Sequence, residues 1–297
     1  MIYFIVNPIS GSGKGKVAVP VIDKIMKDSG EAYFFVYTER PGDIERVAGL
    51  IDVDAAKAIV CVGGDGTLQE YVGLAVNRGI PFGVIPTGSG NDFVNSLPIE
   101  EPRFPSFEKK IAYYTDKLLV GATTPVDVVE VNTGTFFLNI GGTGIDIQVV
   151  QDALPLKKYF AGGAYFFSLV KNALLGHAEE MSLTTDERTE KNAYLLLAIC
   201  NGSYYGGHMH IAPPASIDDG FLTLCIIKKM SRLKLAALFP LVKPGWHVGF
   251  KEVSFVQCTS ATLEFQGKKT VNFDGNLLEC ESPLTFQIIK GAVRFII

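Results

Sequence analysis

The feature that most constrains the fold is a regular alternation of short apolar runs with helical patterns over roughly the first 120 residues. The apolar runs predict strands at residues 2–6, 32–37, 58–62 and 82–85. Helical patterns occupy residues 17–29, 43–50 and 68–77. Apolar runs this short, bounded by glycine and proline, favour strands that are buried on both faces of a parallel sheet. The alternation therefore predicts a doubly wound α/β domain at residues 1–123.

The sequence after about residue 123 is rich in β-strand patterns. Strands are predicted at residues 125–131, 135–140, 194–200, 221–227, 261–265 and 270–273, and helices at residues 162–175 and 232–242. We expect a β-sandwich domain at residues 124–284. The last apolar run, residues 293–297, could close either domain, and we assign residues 285–297 to the first.

Charge and cysteine content exclude some functions. The chain carries 27 Lys and Arg against 31 Asp and Glu, a net charge of −4. A mildly acidic chain lacks the overall positive field of a nucleic-acid-binding protein. Five cysteines lie far apart without a CxxC pair, which favours reduced thiols in the cytoplasm over disulfides or a zinc site.

The sharpest motif is the glycine-rich segment at residues 62–70, which follows a predicted strand and precedes a helix. Its three glycines allow a tight turn and a close approach to a ligand, and the amides at a helix N-terminus favour an anion. Asp65 would oppose a phosphate unless a cation were also present, and Mg²⁺ bound to a nucleotide supplies one. The alternative is an ordinary strand–turn–helix connection in which Asp65 caps the helix.

Two more loops that could bind an anion follow predicted strands. Residues 85–93 contain three small residues before Asn91 and Asp92, which could cap the next helix or meet ribose and metal. Residues 7–16 offer flexible amides with Lys14 and Lys16, although no Ser or Thr follows either lysine as the P-loop pattern requires. Loops at the carboxyl ends of parallel strands line one crevice. Together the three loops indicate a nucleotide phosphate tail, but they do not identify the acceptor.

These motifs resemble the diacylglycerol kinase catalytic-domain family, which includes sphingosine and ceramide kinases. The matching segments are Asn7-Pro8 with Ser10 and Gly11, Thr38 with Gly42 and Asp43, residues 63–70, residues 88–93, residues 139–144, Lys157 ahead of Ala164 and Tyr165, residues 213–220, and Asp274 with Gly275. The resemblance covers essentially the whole chain. It implies a nucleotide domain similar to those of NAD kinases and phosphofructokinases, a following β-sandwich, and an active site in the cleft between them.

The resemblance also implies roles for individual residues. By match to the family pattern, the residues that would contact ATP are Thr38, Gly63, Gly64, Asp65, Gly66, Thr67, Leu68, Gln69 and Ser89. The loops themselves add Asn7, Lys14, Asn91 and Asp92 to the predicted nucleotide site. Asp65 would hold the catalytic Mg²⁺ or its water network. A structural Mg²⁺ in the second domain would use the Asp219 side chain with the carbonyls of Ser216 and Phe221. A plain β-turn is the alternative for that segment, and the two are compatible.

Two positions depart from the family pattern. Gln69 stands where the family has Asn, and Asn276 stands where it has a Glu proposed as proton acceptor. Asn276 cannot accept a proton at neutral pH. Either Asp274 or Asp65 is then the base, or the protein is slow or inactive as a kinase.

The resulting expectation is a lipid kinase that transfers the γ-phosphate of Mg·ATP to a lipid hydroxyl, on diacylglycerol or a related alcohol. Asp274 would orient and deprotonate that hydroxyl, and Lys157 would lie across the cleft near the transferring group. One alternative is a non-catalytic nucleotide- or lipid-binding protein. Another is a kinase of a soluble acceptor, of the NAD or sugar-phosphate type.

Lys157 and Lys158, followed by aromatic residues up to Phe167, suit a segment at a membrane interface, although aromatic residues at helical spacing also suit a core. The expected partner is a lipid substrate at the membrane surface, with no nucleic acid. We expect a cytoplasmic protein in transient peripheral contact with the membrane, and a homodimer is left open.

Overall fold

The computed structural model describes residues 1–99, 101–145, 147–148 and 177–297. Its first part contains four parallel strands in the order β2–β1–β3–β4. They are β1 (Ile2–Val6), β2 (Tyr33–Tyr37), β3 (Ala58–Gly63) and β4 (Pro81–Pro86). Strands β1 and β3 are buried along their whole length, as expected for a sheet covered on both faces.

Five helices connect and cover these strands. They are α1 (Ser10–Ser29), α2 (Ile44–Gly49), α3 (Asp65–Tyr71), α4 (Asp92–Ser96) and α5 (Phe107–Val120). Helix α1 buries Ala18, Ile22 and Met26, which recur every four residues and form one face. Its first turn is irregular, because residues 11–13 all have positive φ.

The described residues of the second part form mostly antiparallel strands. The strands are β5 (Thr123–Val131), β6 (Thr135–Phe137), β7 (Ile140–Gly144), β8 (Glu179–Thr185), β9 (Thr189–Cys200), β10 (Leu222–Lys228), β11 (Val253–Cys258), β12 (Ser260–Glu264), β13 (Lys268–Phe273), β14 (Asn276–Glu281) and β15 (Leu284–Ile296). Helix α6 (Arg232–Val242) follows β10. Phe137, Phe273 and Phe286 meet in the core of this second part, with ring centroids 5.7–6.4 Å apart.

The long strand β15 joins the two parts. It pairs with β12 near its start and runs antiparallel to β5, and then Arg294 and Phe295 pair in parallel with Pro81 and Phe82 of β4. Phe295 also packs against Phe93 at the start of α4. One continuous hydrogen-bonded path of strands therefore joins the first sheet to the second part.

The predicted α/β part followed by a β part is confirmed, and the four strands of the first part lie within one residue of their predicted bounds. Two strand predictions were wrong. Residues 135–140 form β6 and the start of β7 rather than one strand, and the final strand begins at Leu284 rather than at residue 293. Helix α5 was not predicted, and the helix predicted at residues 162–175 lies outside the described residues.

Candidate functional site

The three glycine-rich loops lie side by side, because β1, β3 and β4 are neighbours in the parallel sheet. The Asn7 side-chain amide donates to the Thr67 hydroxyl at 3.2 Å. The Thr87 amide donates to the Gly63 carbonyl at 2.9 Å. The Thr87 hydroxyl donates to that of Ser10 at 3.2 Å. The structure thus brings together the loops in which nucleotide contacts were predicted.

Glycine is required where these loops approach each other. A Cβ on Gly88 would lie 2.6 Å from the Gly64 Cα, and one on Gly11 would overlap the Thr87 carbonyl. Because Gly11 also has a φ of 57°, any other residue there would be strained as well as obstructed. The loops can therefore present their backbones closely to a ligand.

A cleft of about 340 Å³ opens over these loops. Six residues predicted to bind nucleotide line it: Asn7, Thr38, Gly64, Gly66, Thr67 and Ser89. The sequence analysis assigned no role to several other lining residues, among them Glu39, Arg40, Pro41, Glu70 and Tyr71. A cleft of this size falls within the range of small-ligand sites, about 300–1,000 Å³.

Glu70 holds one wall of the cleft in place. Its carboxylate accepts the Asp43 amide at 2.9 Å, and the Asp43 carboxylate accepts the Glu39 amide at 2.9 Å. Arg46 donates to the same carboxylate at 2.6 Å, and this hydrogen bond lowers the pKa of Asp43 below its ordinary value. The segment after β2 is therefore tied to helix α3. Asp43 and Glu70 both lie in motifs that the sequence singled out, but neither was given a role.

Asp65 is half-buried at the start of α3, and one of its oxygens accepts the Phe93 amide at 2.9 Å. The Asp92 carboxylate lies next to it, since oxygens of both side chains would contact a Cβ placed on Gly90. Burial, and then the charge of Asp92, raise the pKa of Asp65 above its ordinary value. Two carboxylates held this close would gain from a divalent cation.

Asp92 itself has structural partners. Its carboxylate accepts the Gly207 amide at 3.0 Å and the His208 amide at 2.7 Å. These bonds attach the loop after β4 to a loop of the second part. Asn91 has a φ of 54° and donates to the Gly88 carbonyl at 2.9 Å. Both side chains thus hold the shape of this loop.

Other predicted site residues are not among those that line the cleft. The Lys14 ammonium lies 5.7 Å from the centre of the Phe107 ring on α5, and Lys14 is not among the lining residues. Leu68 is 2% exposed and belongs to the core beneath the loop, and Gly63 is buried in β3. Lys157 lies outside the described residues.

Asp274 is buried in a turn with a φ of 48° and faces the start of β7. Its carboxylate accepts the amides of Leu138, Asn139 and Ile140 at 2.8, 3.1 and 2.7 Å. Burial, together with the charge of Asp65, raises the pKa of Asp274 to about 7 against the lowering effect of these amides. An acid with this pKa can exchange a proton near neutral pH.

The two positions that depart from the family pattern contact each other. The Asn276 side-chain amide donates to the Gln69 side-chain oxygen at 2.5 Å and to the Gly66 carbonyl at 3.1 Å. Gln69 in turn donates to the Phe136 carbonyl at 2.9 Å. The longer Gln69 and the shorter Asn276 thus form one hydrogen-bonded chain from α3 to β6, at the boundary between the two parts.

This contact gives a testable prediction. Asn276→Asp, which has the same shape, would place an acceptor against two acceptor oxygens and lower the free energy of unfolding by about 1–3 kcal/mol. Adding Gln69→Ala removes one of the opposing oxygens, so the double variant should lose less than the sum of the two single variants. Urea unfolding of all four proteins measures this difference, expected at about 0.5–3 kcal/mol. Additive losses would show that the two side chains are not coupled.

The turn predicted to hold a structural metal is closed by its own hydrogen bonds. The Asp219 carboxylate accepts the Phe221 amide at 2.9 Å, and the Ser216 hydroxyl donates to Asp218 at 2.7 Å. The Lys290 ammonium donates to the Asp219 carbonyl at 3.2 Å and brings a positive charge to the turn. The predicted oxygen ligands are of the type that Mg²⁺ prefers, so turn and metal remain compatible.

The fold and the cleft define a two-part protein in which an α/β domain with glycine-rich loops precedes a β domain. Two family models match it. Residues 1–131 match the diacylglycerol kinase catalytic domain, and residues 140–297 match the YegS C-terminal NAD kinase beta sandwich-like domain. The chain therefore belongs to the diacylglycerol kinase and YegS family of lipid kinases, and its second part is a β-sandwich domain.

Individual relatives agree with this assignment. A diacylglycerol kinase of Bacillus subtilis is 27% identical, over 91% of this chain and 88% of the relative. One from Mycobacterium tuberculosis is 25% identical, over 97% of this chain and 92% of the relative. The crystal structure of a diacylglycerol kinase from Bacillus anthracis has the same fold, with a TM-score of 0.78 over 99% of this chain and 96% of that chain, at 22% identity.

Proposed function

We propose that this protein is an ATP-dependent lipid kinase that phosphorylates the hydroxyl of diacylglycerol or a related lipid alcohol. The observation that carries the proposal is the position of two acids beside one cleft: Asp65 lies between the lining residues Gly64 and Gly66, and Asp274 lies two residues before the lining residue Asn276. Asp65 lies in the glycine-rich loops, and it is near enough to raise the pKa of Asp274 across the boundary between the two domains. Asp65 would hold the Mg²⁺ of the nucleotide, and Asp274 would accept the proton of the lipid hydroxyl.

The nucleotide would bind over the three loops. Backbone amides near Gly64, Gly66 and Ser89 would face its phosphates, as expected for loops that end in helix N-termini. The Asp65 carboxylate beside Asp92 suits a cation, so Asp65 would hold the Mg²⁺ of Mg·ATP. When bound, Mg²⁺ neutralises the charge of the phosphates. Thr38 and Asn7, which also line the cleft, would bind the same nucleotide.

In the proposed transfer, the lipid oxygen attacks the γ-phosphorus in line with the bond to the leaving ADP oxygen. The new P–O bond to the lipid forms as the bond to ADP breaks, and the hydroxyl proton passes to Asp274. A carboxylate has about four acceptor positions, so three amide donors leave Asp274 room for one proton. Lys157 would lie across the cleft near the transferring group.

The acceptor class follows from the relatives, which are named diacylglycerol kinases. A structural Mg²⁺ at the turn of Ser216, Asp219 and Phe221 belongs to the same proposal, as does action at the cytoplasmic surface of a membrane. Among the described residues, no helix is long and apolar enough to cross a membrane.

One observation favours a second candidate, a non-catalytic nucleotide- or lipid-binding protein: Asn276 forms an amide contact where the family pattern has Glu.

Transfer of labelled phosphate from Mg·ATP into a panel of lipid alcohols in mixed micelles tests the proposal. We expect labelled lipid phosphate from diacylglycerol or a related alcohol, and none when Mg²⁺ is chelated. ATP binding without transfer to any lipid would support the non-catalytic candidate instead. Transfer to a soluble acceptor such as NAD, but to no lipid, would contradict the proposed acceptor class.

A further inference from the structure

Helix α6 and the turn that follows it expose an unusual amount of apolar surface. Leu233 is 86% exposed, Trp246 is 69% exposed and Val248 is 48% exposed. On the opposite side of the helix, Leu235, Leu238 and Val242 are buried. A helix that is apolar on both sides normally lies inside a protein, yet one side of α6 faces solvent.

The exposed side of α6 is a continuous stripe. Leu233, Ala236, Ala237 and Pro240 are all exposed, and their spacing of three and four residues places them along one face. No charged residue lies between Lys234 and Lys243. We call this stripe, together with Trp246 and Val248, the α6 face.

The surroundings of the α6 face are positively charged. Residues 228–251 contain six Lys and Arg and no Asp or Glu, in a chain whose net charge is −4. Two of the six have acidic partners, since Lys228 lies 3.5 Å from Glu190 and Lys234 lies 2.6 Å from Glu252. Lys229, Arg232, Lys243 and Lys251 are exposed, and no acid of the described residues forms an ion pair with them.

We propose that the α6 face docks the protein on an anionic lipid membrane. A tryptophan beside aliphatic side chains, surrounded by lysine and arginine, suits the boundary between acyl chains and negatively charged headgroups. A second copy of the chain would bring the same positive charge against this face and would be repelled. A nucleic acid would satisfy the lysines but leave the stripe and Trp246 exposed to water.

The α6 face is connected to the cleft through one loop. A Cβ on Gly245, next to Trp246, would lie 2.9 Å from the His210 ring, and the buried His247 ring bonds to the Ile211 carbonyl at 2.9 Å. The same loop includes Gly207 and His208, whose amides Asp92 holds beside Asp65. Docking through the α6 face would hold the protein at the membrane in which a lipid acceptor resides. Only this link to the acceptor rests on the proposed kinase function.

Trp246 is the only tryptophan in the chain, so its fluorescence reports on the α6 face directly. Vesicles of phosphatidylglycerol and phosphatidylcholine in equal parts should shift its emission to the blue, because the indole leaves water. Vesicles of phosphatidylcholine alone should leave the emission unchanged, and high salt should weaken the effect. The measurement needs neither ATP nor turnover.

Matched variants sharpen the test. Lys243→Glu with Lys251→Glu should weaken binding to the anionic vesicles at least about 25-fold, at about fivefold for each basic residue removed. Lys24→Glu with Lys109→Glu, which alters two exposed lysines of α1 and α5 by the same charge, should bind nearly as the parent does. Leu233→Asp should abolish the blue shift, whereas Val120→Asp, at another highly exposed apolar position, should retain it.

Three outcomes would overturn the proposal. They are no binding to anionic vesicles, binding with unchanged Trp246 emission, and a blue shift that depends on protein concentration without vesicles, which would identify a second copy as the occupant. Phosphoryl transfer in detergent micelles without anionic lipid separates this proposal from the kinase function. The Lys243→Glu/Lys251→Glu variant should keep that activity, and a blue shift without any transfer would count against the kinase function alone.

Discussion

Asp65→Asn is expected to lower the rate of phosphoryl transfer about a hundredfold or more while leaving the fold intact. Asparagine keeps the side-chain oxygen that accepts the Phe93 amide at 2.9 Å, so the loop should retain its shape. It removes the negative charge that would hold Mg²⁺. The substitution therefore separates the chemistry proposed for Asp65 from its structural role.

The stability of the same variant should move in the opposite direction. Asp92 and burial raise the pKa of Asp65, which means that the ionised carboxylate is held unfavourably in the folded protein. A neutral amide beside Asp92 removes this repulsion, so the free energy of unfolding should stay constant or rise by about 1 kcal/mol. Loss of activity with retained stability is the typical trade-off of a catalytic position.

The measurement pairs the micelle assay with thermal unfolding. Asp116→Asn, which makes the same chemical change at an exposed position on α5, serves as the control and should retain the parent rate. A rate for Asp65→Asn within about tenfold of the parent rate would contradict the role proposed for Asp65. A large fall in melting temperature would show instead that the carboxylate acts chiefly in folding.

Local sequence patterns were enough to predict the first domain and the loops of the cleft. Buried parallel strands such as β3 are short apolar runs that end at glycine or proline, so their bounds can be read directly from the chain. Because β1, β3 and β4 are neighbours, the order of the strands also places their three loops together. Helix α6 was predicted at its observed bounds for a similar reason, as a long apolar pattern that begins after Ser231.

Features that depend on distant contacts could not be predicted in this way. Gln69 and Asn276 are separated by 207 residues, and each position viewed alone is only a departure from a pattern. Strand β15 was recognised only at its end, because Lys290 and Gly291 interrupt the apolar pattern where the strand passes from one domain to the other. The position of Lys14 beside the Phe107 ring of α5 is another such contact, which the glycine-rich loop viewed alone does not reveal.

Asp274→Ala is expected to lower the free energy of unfolding by roughly 3–5 kcal/mol, because it leaves three buried amides without an acceptor. These amides lie where the turn after β13 meets the start of β7. Urea unfolding measures the loss, and Asp54→Ala, at an exposed acid in another turn, should change stability by less than about 0.5 kcal/mol. A small loss for Asp274→Ala would mean that water or a shifted backbone satisfies the three amides.

Asp274→Asn tests the chemistry of the same residue, since the amide retains an acceptor oxygen but cannot take up a proton. For the parent protein we expect the rate to rise with pH through about 7, because only the ionised carboxylate accepts the hydroxyl proton. In Asp274→Asn the rate should fall about 10²–10⁴-fold, and this rise with pH should disappear. If the variant is slow but keeps the rise, another group, with Asp65 as the nearest acid, accepts the proton. Asp274 would then serve to hold the start of β7 against the cleft.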